Sequence, residues 1–247
     1  MTRDAMTESA RASVERAAAS ALSVLYESAT AVVIDKPAWL LVHDSAWAGP
    51  REKTVMSLVR AQLGDGLVPV HRLDRQTSGA LLLAKGPDAA RAWQEAMSDG
   101  RGDKRYLALV RGCLRGACDV DHALRDEDDV SREARSRFEP VCAREGEARS
   151  SLVMAQIFTG RTHQVRRHAK HISHPLLGDS NYGKQPLNRW FRDHYSLQRL
   201  ALHAYGLCVA RSDGERIDVR CPLATDLASV CDGLYGDEEW RTRVAQM

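Results

Sequence analysis

Ala80-Leu81-Leu82-Leu83-Ala84 is an unbroken apolar run, and it follows directly on His71-Arg72-Leu73-Asp74-Arg75-Gln76-Thr77-Ser78-Gly79. The run reads as a buried strand, with Thr77-Ser78-Gly79 as the turn that enters it. That order fixes a charged loop at the end of a core strand. Within the loop a single carboxylate, Asp74, stands among His71, Arg72 and Arg75. Loops held against a rigid strand are where chemistry concentrates. The plainer alternative is a solvated Arg–Asp pair on the surface, a weak interaction.

The 247 residues suffice for one large domain or two small ones, and 44% apolar residues supply a core. The net charge of +2 is mild, but its distribution is uneven. From Thr159 to Arg211 nine Lys or Arg face two acids, an excess of seven positive charges, and six of the nine histidines lie in the same stretch. A basic half suits a polyanionic partner. Asp126-Glu127-Asp128-Asp129 is by contrast an acidic run. Six cysteines show no Cys-x-x-Cys spacing, nothing resembles a secretion signal, and no apolar run approaches a membrane span. These features predict reduced thiols, a cytoplasmic location, no membrane partner and no zinc site built on cysteine.

Along the chain, residues 1–21 are rich in Ala, Ser, Arg and Glu and read as a flexible extension; residues 22–247 read as one strand-rich domain with flanking helices. Strands are expected at Leu22–Tyr26 and Ala31–Ile34, and a helix from Thr54, its N-cap, to Leu63 with Gly64 beyond it. A second helix is expected over Asp88–Met97, capped by Asp88. Lys104–Gly112 reads as a strand with Tyr106, Ala108 and Val110 on one face and Leu107 and Leu109 on the other. Cys113–Glu147 shows no regular pattern. A strand over Ser151–Phe158 leads into a helix ending near Ile172. A further strand pair (Leu200–Ala210, Arg216–Arg220) and a helix over Thr225–Leu234 close the chain.

Four motifs in this order resemble those of the A-type RNA pseudouridine synthases, the large-subunit class. His-Arg-Leu-Asp-Arg-x-Thr-Ser-Gly matches at eight fixed positions around Asp74. Lys36-Pro37 with Val42-His43 resembles the family's first motif, although Ala38-Trp39 stands where a small residue and a glycine are usual. Lys104–Gly112 matches its Lys-x-Tyr-x-Ala-x-Val-x-Gly strand, and Gly160-Arg161-Thr162-His163-Gln164-Val165-Arg166 its Arg motif. Gly178-Asp179-Ser180, Asn188, Leu197–Ala204 and Val42-His43-Asp44-Ser45 resemble the subgroup pattern of the C-type tRNA synthases.

The resemblance implies an α+β fold: a mixed, mostly antiparallel sheet with flanking helices, split by an RNA-binding cleft. It implies isomerisation of uridine to pseudouridine, no cofactor or metal, and no need of an added RNA-binding module. tRNA is the expected partner, ribosomal RNA the alternative within the family, and the enzyme is expected to act as a monomer. Such a reaction needs an ionised carboxylate, and burial alone would raise its pKa by roughly 3–5 units. A neighbouring Arg opposes that and can hold the carboxylate by two bonds. Spacing does not choose among Arg161, Arg166 and Arg167; the resemblance assigns Arg166 as the partner of Asp74. It also makes Tyr106 the ring that stacks on the flipped base, and Arg72 the side chain that fills the gap it leaves. Arg75, Arg161, Gln164 and Arg167 are then the expected RNA contacts.

One rival reading is a metal-dependent hydrolase with His163, His168 and His171 as ligands and Asp74 or Asp179 as base; no His-Glu-x-x-His supports it. The other is an RNA-binding protein without activity, against which Asp74, Tyr106 and Arg166 stand together.

Overall fold

The computed structural model describes residues 21–43, 53–99 and 102–247, with residues 12, 14, 15, 17 and 19 as single helical positions. Most of the expected N-terminal extension and the Asp44-Ser45 part of the first motif lie outside the described residues. The chain forms two compact units, residues 1–94 and 95–247.

In the first unit β1 (Ser23–Glu27) pairs with β2 (Ala31–Lys36), and β2 pairs with β4 (Ser78–Lys85), to which the short β3 (Leu67–Pro69) also pairs. All three pairings are antiparallel. Every β4 residue from Ser78 to Ala84 is buried, which is why the run is continuous rather than alternating. Helix α1 (Val55–Leu63) starts at a reciprocal cap: Thr54 Oγ1 accepts the Ser57 N–H and Ser57 Oγ accepts the Thr54 N–H. It buries Val55, Leu58 and Val59, and Gly64 follows its end. Helix α2 (Pro87–Ser98) begins one residue before the expected cap: Pro87 takes the first helical position, and Asp88 lies inside the first turn, paired with Arg91. Trp93 on this helix is fully buried and its indole N–H reaches Thr30 Oγ1 at 3.1 Å.

In the second unit the strands lie in the order β11 (Leu202–Ala210), β5 (Gly102–Arg111), β10 (Ser150–Ile157), β9 (Arg135–Arg144), β6 (Cys118–Asp121), and β12 (Arg216–Arg220) also pairs with β11. These pairings too are antiparallel. Leu107 and Leu109 of β5 join Leu152, Met154, Phe191, Leu227 and Trp240 in one core cluster, so the two-face reading of that strand holds.

The expectation that Cys113–Glu147 is irregular is corrected: the stretch holds β6, β9 and a small hairpin, β7 (Leu124–Arg125) with β8 (Ser131–Arg132). Pro140 and three arginines obscure β9 in the sequence. The register against β10 shifts between Leu152 and Val153, next to Pro140, and such a bulge is where a strand tolerates proline. Two helices go beyond the expected set: α4 (Gln185–Tyr195) and α6 (Asp237–Ala245), on either side of α5 (Thr225–Tyr235) in sequence. Helix α3 (Gln164–His171) carries the Arg motif.

Candidate active site

In the first unit the Asp74 loop is built on main-chain contacts. Lys36, at the end of β2, is fully buried, and its ammonium donates to the carbonyls of Pro37 (2.7 Å), Leu40 (2.9 Å) and Arg75 (3.4 Å). A buried ammonium is stable only when its donors are satisfied in this way. The last bond reaches into the loop next to Asp74. Arg75 Nε in turn donates to the Trp39 carbonyl at 3.1 Å. Trp39 adopts φ 74°, a left-handed conformation that favours glycine, so the loop holds this bulky residue at some cost in backbone strain. His71 Nε2 accepts the Leu82 N–H at 3.1 Å, and the Thr77 N–H closes a turn onto the Asp74 carbonyl at 3.0 Å. Gly79, with φ 111°, turns the chain into β4 where a side chain would be strained. Asp74 is half-buried, Arg72 exposed.

In the second unit Tyr106 lies on β5, 8% exposed, and its cross-strand neighbours are Ala155 on β10 and Ala204 on β11. Two alanines flanking one position leave room for a ring. Lys104, two residues earlier and on the same face, has its ammonium pushed down from the ordinary lysine range by burial.

Arg166 on α3 is 7% exposed. Its Nε donates to Asp179 Oδ2 at 2.7 Å and its Nη2 to Asp179 Oδ1 at 2.9 Å, a side-on two-bond pair. Asp179 Oδ1 also accepts the N–H groups of Asn181 (2.9 Å) and Tyr182 (3.0 Å). Burial pushes the Asp179 carboxyl up, but these bonds from Arg166 and the backbone outweigh it and hold it below the usual carboxylate range. The Tyr182 ring lies 5.1 Å from the Arg166 guanidinium, and its hydroxyl bonds His163 Nδ1 at 3.2 Å. The turn carrying Asp179 is close-packed: a Cβ on Gly178, φ 75°, would stand 2.0 Å from the Arg199 carbonyl oxygen.

Of the three arginines that spacing does not separate, Arg166 is thus the buried one with a carboxylate partner. Arg161 is exposed, its Nε on the Glu133 carbonyl; Arg167 is half-buried with Nη1 on the Arg125 carbonyl. Gln164 departs from the expectation of an RNA contact. It is 3% exposed, its carbonyl oxygen accepts from Thr159 Oγ1 and the Arg161 N–H, and its amide donates to the Arg135 carbonyl and Ser136 Oγ. With all four bonds made inside the chain it braces the entry to α3.

The histidines are engaged in packing. His168 bonds Ser136 Oγ and the His122 carbonyl, His171 stacks on His122 at 3.9 Å, and His174 bonds the Arg111 carbonyl. Among the described residues no three His, Cys, Asp or Glu side chains gather to hold a metal ion. The basic stretch is also less exposed than its sum suggests, since Arg199 is buried against Asp226 as Arg166 is against Asp179.

A sequence model of the RNA pseudouridylate synthase family matches residues 30–171, a span that includes the Asp74 loop, Tyr106 and Arg166. The chain belongs to that family. It is an isomerase acting on RNA. It is 35% identical over 239 residues to tRNA pseudouridine synthase C of Pasteurella multocida, covering 89% of this chain and 93% of that one. To the protein of the same name from Haemophilus influenzae it is 34% identical over 245 residues, 91% of this chain and 97% of the other. Among solved structures, human RNA pseudouridylate synthase domain containing 1 superposes with a TM-score of 0.69 at 26% identity, over 85% of this chain and 87% of that one. Human RNA pseudouridylate synthase domain containing 4 shares the fold, with a TM-score of 0.68 at 23% identity, over 90% of this chain and 94% of the other. The mixed α+β fold expected from the motifs is therefore that of the synthases.

Sequence reasoning misses two side chains that shape the synthase's site residues. Lys36 reads only as part of a motif, although the Asp35-Lys36-Pro37 strand end is a place to suspect a buried ammonium. Tyr182 carries no signal at all, since it follows Arg166 by sixteen residues through an irregular turn.

Proposed function

We propose that this synthase converts a uridine of tRNA to pseudouridine, with Asp74 as the catalytic carboxylate. The reaction breaks the bond from ribose C1′ to ring N1, turns the detached uracil, and joins C1′ to ring C5, whose proton is then lost. Asp74 in ionised form attacks the ribose or the ring, or takes up a proton. Tyr106 holds the base by its ring. Arg166 keeps the carboxylate ionised and oriented. Arg72, exposed and with no hydrogen bond or ion pair to another described residue, fills the gap left by the extruded base, while Arg75, Arg161 and Arg167 meet backbone phosphates. The enzyme works as a cytoplasmic monomer on residues 22–247, without a metal or cofactor. No helix among the described residues is long and apolar enough to cross a membrane.

The observation that carries tRNA as substrate is identity of about a third along nearly the whole length of relatives named tRNA pseudouridine synthase C. To test it, unmodified tRNA and naked large-subunit ribosomal RNA are each incubated with the purified enzyme and mapped for pseudouridine. Conversion at one tRNA position is expected, with affinity falling steeply between about 50 and 200 mM salt. Stoichiometric conversion at a ribosomal site with none in any tRNA would overturn the substrate while leaving the reaction in place.

A further inference from the structure

We infer that Asp179 is the positioning residue for Arg166, fixing the plane and orientation of its guanidinium for the reaction. The inference rests on the catalytic role proposed for Arg166. Both carboxylate oxygens of Asp179 sit on the Nε/Nη2 edge of that guanidinium, at 2.7 and 2.9 Å. A planar guanidinium held on one edge has its Nη1 edge turned the opposite way, so the two-bond contact with Asp179 sets the direction in which that second edge points. The Tyr182 ring, 5.1 Å away, limits movement along the remaining direction, out of plane.

The carboxylate is itself rigidly mounted. Its Oδ1 takes the Asn181 and Tyr182 N–H groups, its backbone carbonyl takes Asn188 Nδ2 at 2.8 Å and the Gly183 N–H at 3.1 Å, and Asn188 Oδ1 takes the Gly178 N–H at 3.0 Å. The glycine before it has no space for a side chain. A turn that only had to close the chain would not need a fully buried carboxylate aimed at an arginine. Charge supports the same role. A buried arginine without a counter-charge would be strongly unfavourable, and Asp179 supplies that counter-charge permanently, before and after RNA is bound.

The test uses the full chain and unmodified tRNA transcripts, or the ribosomal transcript if that is what the wild type converts. Asp179→Asn preserves shape and the acceptor for Asn181 and Tyr182 but removes the charge and one acceptor for Arg166. Its single-turnover rate is expected to fall by about 10- to 100-fold, the scale of a small misplacement at a reacting centre, while the dissociation constant for RNA stays within about twofold. Combined with Arg166→Met it should slow the reaction by less than about twofold further, because the two act as one unit. Asn188→Ala loosens the same turn without touching Arg166, and should lower the melting temperature while sparing the rate.

If Arg166→Met turns over as fast as the wild type, the role of Arg166 falls and takes the inference with it. If Arg166→Met is slow, three results would each overturn the inference alone: Asp179→Asn at the wild-type rate, a loss no larger than Asn188→Ala shows at equal stability, or losses that multiply in the double variant.

Discussion

The Asp74 loop and the Arg166 turn each present one charged side chain, and they are held by opposite means. Around Asp74 the scaffold includes cations on carbonyls: Lys36 bonds Pro37, Leu40 and Arg75, and Arg75 bonds Trp39. Around Arg166 the support is a carboxylate, and the pair is sealed in, with side-chain exposures of 9% and 0%. The loop's carboxylate remains half-exposed. A group that must change partners during a reaction gains from a frame made of main-chain bonds, which do not compete for its charge. A group whose charge must persist gains from a permanent counter-ion. The two regions therefore differ in what a substitution removes: geometry in the first, charge and geometry together in the second.

The largest test of this contrast is Asp74→Asn. It is nearly isosteric and keeps the Asp74 carbonyl that accepts the Thr77 N–H, so the fold and RNA binding should persist while turnover is lost. Release of tritium from uridine labelled at ring carbon 5 measures it, and turnover near the wild-type rate would remove Asp74 from the chemistry. Arg166→Met comes next. It should lose most of the activity and also destabilise the protein by about 3–5 kcal/mol, because Asp179 is left buried and uncompensated. Denaturant unfolding that shows unchanged stability would mean that the pair is not sealed as described.

Lys36→Met sharpens the comparison from the other side. It leaves buried carbonyls without a donor, at about 1–3 kcal/mol, and should lower the rate only through the loop's loss of order. A rate that falls to the level of Asp74→Asn with stability unchanged would instead place the ammonium in the reaction.

The smallest effect is on pH. Burial pushes the His203 imidazole down to about 4 from an ordinary 6.5, so the folded state resists protonation that the unfolded chain accepts. Its contribution is complete above about 6.5 and is lost as pH falls towards about 4, amounting to roughly 3 kcal/mol. The Asp179 and Asp226 carboxyls are held below their ordinary value, so their contribution persists to lower pH and is lost only on further acidification. Both losses fall on the second unit. Hydrogen exchange followed from pH 7 to 4 should thus weaken protection on β11 around His203. Protection there that is unchanged at pH 4 would contradict this.

What the sequence makes legible follows from where each signal resides. Thr54 and Gly64 mark α1 because caps are local, and the two faces of β5 are visible because alternation is local. β9 is hidden because Pro140 and the bulge beside it break the alternation that betrays a strand. In α4 the signal is present but split by an irregular approach: Pro186 at the start, then Leu187, Trp190, Phe191 and Tyr195 at helical spacing. The motifs single out Asp74 and Arg166, but not what holds them. Asp179 lies thirteen residues beyond Arg166, and only the folded turn brings the two together. Gln164 shows the converse, a motif position whose polarity suggests an external partner while its bonds all point inward.

Trp39 has a practical consequence. Its carbonyl accepts from Arg75, and its half-buried indole is carried on the segment that Lys36 clamps to the Asp74 loop. The loop thus bears an intrinsic fluorophore, one of five tryptophans in the chain. Replacing the other four with phenylalanine would leave an emission that reports on this loop alone, with no dye attached and none of the proposed site residues altered. Its spectrum would show in real time whether the loop shifts when RNA arrives or is already set before the encounter.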